Sequence, residues 1–250
     1  MSENTMRNIA AVTVHDALGN ARNPVMLVML ATCALLAFVF SSVVGTDWLG
    51  DARSEAFLMT VAIAIAPAYT GSVGLLYVTS EEFEKGMPAT LAQAGVTTAQ
   101  AAVGKLVSSL AWTLVAVLIT CLVLGYPAGK TAALLALSVP ASLPVLLMSL
   151  GFGLLADDQM KSSVFAVPIV VCAVAPLLGA MSEALRPIAC ALPTGFAAES
   201  SCLMAGAPTL LSPAAAAALC VVWIAAGAAF AAWAHRHYAK RVATMVDRIR

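Results

Sequence analysis

Long apolar runs, separated by short charged or glycine- and proline-containing connections, set the pattern of this chain. Six of them cover about 24–45, 56–79, 105–125, 131–155, 163–181 and 211–234. A helix needs about 20 consecutive apolar residues to cross the hydrocarbon core of a bilayer, and each run approaches or exceeds that length. The runs hold no Asp, Glu, Arg or His, and their one Lys is Lys105, the first residue of the third. The pattern predicts an all-α integral membrane protein: six transmembrane helices in a single domain over residues 1–250.

Ahead of the first run, Met6, Ile9, Thr13, Ala17 and Leu18 recur at helical spacing among Arg7, Asn8, His15 and Asp16. This predicts a short amphipathic helix lying in the membrane interface. It should end near Gly19-Asn20, with Asn23 and Pro24 opening the first span as cap and first-turn proline. The first twenty residues also lack the apolar core of a cleavable signal peptide. Pro67, Pro140, Pro144, Pro168 and Pro176 fall inside runs, where each removes a backbone donor, so kinks are expected there.

Composition adds orientation. Residues are 61% hydrophobic and 10% charged, as a membrane protein requires. Ten of the thirteen Lys and Arg fall on one side of a six-span arrangement, leaving only Arg53, Lys130 and Arg186 on the other. By the positive-inside rule both termini face the cytoplasm, giving a multi-pass protein of the plasma membrane. The basic tail after Trp233 is expected to rest on anionic headgroups of the lipid bilayer. A net charge of zero gives no reason to expect a nucleic-acid partner.

The uncharged spans exclude several chemistries. An intramembrane charge usually marks an ion path or proton relay, so an ion-coupled carrier is disfavoured. His15, His235 and His237 all lie outside the spans, which leaves no Ser-His pair within the bilayer and no catalytic residue to assign. Gly104-Lys105 does not form a phosphate loop: residue 99 is Ala where the first Gly is needed, and Leu106 replaces the Mg²⁺-binding Ser/Thr. The chain thus has no ATP site of its own, no metal site and no bound cofactor to expect. Asp157-Asp158 reads as a solvated loop.

The longest cytoplasmic connection, residues 79–105, is the informative one. Glu81, Glu82, Glu84 and Lys85 end the second span in charge, and Gly86 stops the helix. Pro88 suits a first turn, Gly95 a C-terminal stop, and Thr97 with Gln100 forms a capping-box pattern opening the next helix. A helix-break-helix elbow is predicted, with Met87 and Leu91 as anchors of its short helix. Glu84-Lys85-Gly86, then Leu91, Thr97 and Gly104-Lys105, in that order and spacing, resemble the signature region of type-2 ATP-binding-cassette (ABC) transporter permeases, the membrane subunits of many bacterial exporters. The chain departs from that pattern at Met87-Pro88 and at Gly95.

The resemblance implies a two-component machine. The elbow would dock on a separate ABC ATPase subunit carrying ATP and Mg²⁺, with a second permease copy completing the unit. Glu84 and Lys85 would be docking charges, Gly86 a hinge and Leu91 an apolar plug, and ATPase closure would swing the first, second and fifth spans. Residues 182–210, between the fifth and sixth spans, would dip back into the membrane as two short helices, a re-entrant segment. Cys190 and Cys202 fall in it; a disulfide between them and two free thiols are both compatible with their spacing. Cys33, Cys121, Cys172 and Cys220 read as packing residues. The expected function is export of an apolar or amphipathic cargo: a drug, an antimicrobial peptide or a lipid-like molecule. The alternative is a non-transporting membrane scaffold or immunity protein that binds a toxin or partner.

Overall fold

The computed structural model describes residues 3–44 and 51–249; Gly45, at the end of the first predicted span, and Arg250 lie outside the described residues, as does the Arg248 side chain. In chain order the elements are α1 (Glu3–Arg22), α2 (Pro24–Val44), α3 (Asp51–Ala66), a π-helix (Pro67–Val73), α4 (Gly74–Glu84), α5 (Met87–Gln93), α6 (Thr98–Val123), α7 (Ala128–Leu155), α8 (Gln159–Met181), α9 (Arg186–Ala191), α10 (Gly195–Ala205) and α11 (Pro213–Ile249). Six helical runs among them are long and apolar enough to cross a membrane, which makes this a multi-pass membrane protein.

Two runs are longer than their apolar patterns. The second continues without a break from Asp51 to Glu84, because its terminal acids find partners: Glu81 pairs with Lys85 one turn on, at 2.5 Å, and Glu82 is held by Lys105. The sixth continues to Ile249 as one helix of 37 residues, about 55 Å long. Here the structure corrects the expected tail. The segment after Trp233 does not simply rest on headgroups, because Ala234, Tyr238 and Val242 are buried against α4 and α7 in one apolar cluster with Phe83, Leu150 and Leu154. Arg236 and Lys240 remain on its exposed face.

The first helix is also corrected. It runs to Arg22, past Gly19-Asn20, before Asn23 caps α2 by accepting from the Val25 N–H at 2.9 Å. Its buried seam is Val12, Asp16 and Asn20, spaced four residues apart, with Ile9, Thr13 and Ala17 half-buried beside it. Met6 and Leu18, expected on that face, stand exposed. The helix therefore does not lie alone on a surface. It seats along α6, where the Thr13 hydroxyl reaches the Gly104 carbonyl and the Trp112 indole N–H donates to the Ala17 carbonyl at 3.2 Å.

The prolines are built in rather than left as open kinks. A proline cannot donate to the carbonyl four residues before it, and two of the freed carbonyls receive a side chain from another element. Pro144 frees the Pro140 carbonyl, and the Cys220 thiol of α11 donates to it at 3.4 Å. Pro176 frees the Cys172 carbonyl, and the Thr194 hydroxyl donates to it at 2.9 Å. At Pro67 the turn widens into the seven-residue π-helix, which absorbs the missing bond and passes directly into α4. Close packing elsewhere uses small residues, as membrane bundles do. A Cβ on Gly227 of α11 would lie 3.0 Å from Leu147 of α7, so these two helices meet backbone to side chain.

The Thr194 bond also fixes the α9–α10 hairpin. Cys172 lies nine residues before the end of α8, so the hairpin turn sits about 14 Å back along the bundle. The Trp223 indole, ten residues into α11, donates to the Ala191 carbonyl at 2.9 Å and brackets the turn from the other side. Removing the Thr194 hydroxyl strands the half-buried Cys172 carbonyl. Thr194→Val is expected to cost about 1 kcal/mol, and clearly less in a Pro176→Ala background, where the substituted residue supplies its own backbone N–H to the same carbonyl. Unfolding in mixed detergent measures both; equal losses in the two backgrounds would contradict the assignment.

Candidate functional site

The segment between the second and third helical runs forms an elbow. The chain leaves α4 through Gly86, which turns the backbone at φ 72°, a left-handed conformation that glycine adopts without strain. Pro88 then lies in the first turn of α5, where its missing N–H costs nothing. The far end of α5 is closed by a Schellman motif on Gly95, φ 77°: Gly95 N–H donates to the Ala92 carbonyl and Val96 N–H to the Leu91 carbonyl. Thr97 caps α6 through a complete capping box, its hydroxyl accepting from Gln100 N–H at 3.2 Å while the Gln100 carboxamide accepts from Thr97 N–H at 3.0 Å.

Three contacts hold this elbow from beneath. First, Lys105, only 4% exposed, lies 2.5 Å from Glu82 of α4 and 3.5 Å from Asp16 of α1, which is 7% exposed. Two carboxylates and one ammonium are thus withdrawn from solvent together, with the exposed His15 ring 3.2 Å from Asp16 at the edge. Second, Asn8 of α1 donates to Gln100 at 3.1 Å and to the Gly95 carbonyl at 3.4 Å. Third, the α11 tail braces the other flank. The Thr98 hydroxyl and His235 Nε2 are 2.9 Å apart, and Tyr238 packs on Phe83 with ring centroids 5.6 Å apart. Arg241 lies 3.9 Å over the Phe83 ring, donates to the Leu154 and Leu155 carbonyls at 3.3 Å and pairs with Asp157. Hydrogen bonding from Lys161, with Arg241 nearby, holds the Asp157 carboxyl below its usual range.

The residues predicted for this site divide into two groups. Glu84 and Lys85 are exposed, and together with Thr90 and Gln93 they form the elbow's outward surface. Glu84 also accepts from the Gln159 N–H at 3.4 Å, tying the elbow to the start of α8. Thr97 is exposed and performs the capping role read from the sequence. Gly104 and Lys105 face inward instead: Gly104 leaves room for Val12 of α1, and Lys105 is buried in its ion pairs. Leu91 is half-buried and lines a cavity of about 10 Å³ with Val96, Lys105 and Tyr238. Sequence reasoning missed Asp16, Tyr238 and Arg241 as parts of the site. A readable signal did exist for the tail, since Ala234, Tyr238 and Val242 keep an i, i+4, i+8 spacing through its charges.

At the opposite end of the bundle a second charged cluster lines a cavity of about 50 Å³. Arg53 of α3 pairs with Glu183 at 2.9 Å, and Arg186 lies 3.9 Å from both Glu183 and Glu199. Glu199 is 3% exposed and accepts from the Leu210 and Leu211 N–H groups at 2.8 Å. So Lys105 is the one charged residue of the apolar runs, but the bundle interior also holds buried carboxylates. Cys190 and Cys202 both line this cavity as free thiols, Cys190 donating to Glu199 at 3.1 Å. A larger recess of about 220 Å³ opens on the other side of α10, walled by Leu137, Phe196, Leu203, Met204 and Leu211. Among the described residues no group of three or more His, Cys, Asp or Glu is placed to hold a metal. No protein-family model matches the chain, and no curated protein matches it in sequence.

Two outcomes follow for the elbow. Thr97→Ala should cost about 1 kcal/mol of local stability, read as faster amide exchange in the first turn of α6 with α7 unchanged. For Asp157 the folded state lowers the pKa, so its contribution is complete above the ordinary carboxylate pKa and is lost as pH falls through the lowered value. Protease cleavage of the α11 tail should therefore rise at strongly acidic pH in the wild type. In Asp157→Asn it should be raised already at neutral pH.

Proposed function

We propose that this chain is the membrane subunit of an ATP-driven exporter, moving an apolar or amphipathic cargo with energy from a separate ATPase. One observation carries the reading: the elbow presents Glu84, Lys85, Thr90 and Gln93 outward while its underside is bonded to α1, α4, α6 and α11. A surface of this kind passes force into several helices rather than bending locally. It matches what the Glu84-Lys85-Gly86 resemblance implies for a docking face, with Gly86 as the pivot and Leu91 partly available to a partner.

In this reading the elbow and both termini face the cytoplasm, as the positive-inside rule requires, and the protein resides in the plasma membrane. The α9–α10 hairpin then enters from the outer side as a re-entrant segment, with the Trp223 indole on its Ala191 carbonyl and its own Thr194 hydroxyl on the Cys172 carbonyl of α8. ATP and Mg²⁺ belong to the partner subunit, and a second permease copy completes the machine. The recess beside α10 suits an apolar cargo, since aliphatic and aromatic side chains form most of its wall.

The test is purification of the tagged protein from its native membrane in mild detergent, assayed for associated ATPase activity. Wild-type protein should carry an ATPase with it. Glu84→Lys and Gly86→Val should lose that activity at least tenfold while inserting normally. A well-folded wild type without any associated ATPase would discard the exporter reading and favour the scaffold or immunity protein.

A further inference from the structure

We infer that Lys105 is a positioning residue that makes α1 move with the elbow, so that a push on α5 shifts α1 as well as the two spans it joins. The inference takes the source of the push from the exporter reading; the linkage itself stands on geometry alone.

The partners of α1 climb α6 in order. Asn8 bonds to Gly95 and Gln100, Thr13 to Gly104, and Ala17 to Trp112. The two helices thus run side by side in the same direction from the elbow upward, with Val12 filling the space over Gly104. Such a contact sets which face meets which. The ion cluster sets what α1 is tied to. Through Lys105, Asp16 of α1 is joined to Glu82, about one turn before the elbow's pivot at Gly86.

Asp16 and Lys105 are buried, and the Glu82 side chain is only 12% exposed. Separating any one of the three would strand an unpaired charge away from water. Moving them together avoids that cost, and the elements that carry them behave as one body. Two acids on one ammonium also mean that Lys105 cannot serve one carboxylate by abandoning the other. The outward ridge of α1 carries exposed Met6, Val14 and Leu18, flanked by Arg7 and Arg22. That ridge lies opposite the buried seam of Val12, Asp16 and Asn20 that faces the bundle.

Hydrogen–deuterium exchange on the full chain in lipid nanodiscs tests the linkage without any ATPase. Lys105→Met should raise exchange across α1 at least tenfold and leave the span peptides of α7 and α11 unchanged, while Lys105→Arg should restore protection. Should Lys105→Met lose protection everywhere, Asp16→Asn carries the test, because it releases α1 and leaves the Lys105–Glu82 pair balanced. Full α1 protection in Asp16→Asn and Lys105→Met would overturn the inference. In the complex with its ATPase, Asp16→Asn should lower cargo moved per ATP hydrolysed at least fivefold, an effect that a merely structural role would not produce. An unchanged ratio would overturn it too. Absence of an ATPase from the wild type would remove the exporter reading and leave the exchange result to decide the linkage.

Discussion

Backbone polar groups taken into this bundle have to be satisfied from within it, because the surrounding hydrocarbon offers no hydrogen bonds. That constraint explains features that otherwise look unrelated. The Thr194 hydroxyl and the Cys220 thiol sit where prolines free carbonyls, at Cys172 and Pro140. The π-helix at Pro67–Val73 answers the same demand by changing the turn rather than recruiting a neighbour. Glu199, buried on α10, gathers two backbone N–H groups, a thiol and a nearby guanidinium. Long-range bonds of this kind join helices far apart in the chain and give the bundle its specific arrangement.

Charge is handled differently at the two ends. At the elbow, the buried ammonium of Lys105 holds carboxylates from two different helices, and the exposed charges Glu84 and Lys85 stand on the outside of the same turn. At the other end, Arg53, Glu183, Arg186 and Glu199 alternate in sign from the surface inward and strap α9 and α10 to α3. Exposed pairs contribute little to stability in water. The buried groups matter more for arrangement, since each restricts which partners its helix accepts. Cavities flank α10 at this end of the bundle.

Much of the candidate site was readable locally. Gly86, Pro88, Gly95 and the Thr97/Gln100 capping box act within a few residues of one another, and the backbone conformations they favour are those found. What local chemistry could not supply was the direction in which Leu91, Gly104 and Lys105 face. That depends on α1 and α11, whose contacts span long stretches of chain: 87 positions between Asn8 and Gly95, 137 between Thr98 and His235. The Phe83–Tyr238 contact spans a longer stretch still. A tail read as a headgroup-binding segment became a brace because Ala234, Tyr238 and Val242 had an apolar surface to meet.

By itself, then, the sequence determined the class of the protein, the number of long apolar helices and the elbow between the second and third. These follow from run length, helical period and turn residues, which act through neighbours along the chain. The tertiary structure alone decided that Lys105 is buried between Asp16 and Glu82, that Thr194 and Cys220 serve prolines on other helices, and that Glu199 lies inside the bundle. Each of these is a pairing whose partners are brought together only when helices pack. A lysine, a hydroxyl or a carboxylate carries no local mark of the group that will satisfy it.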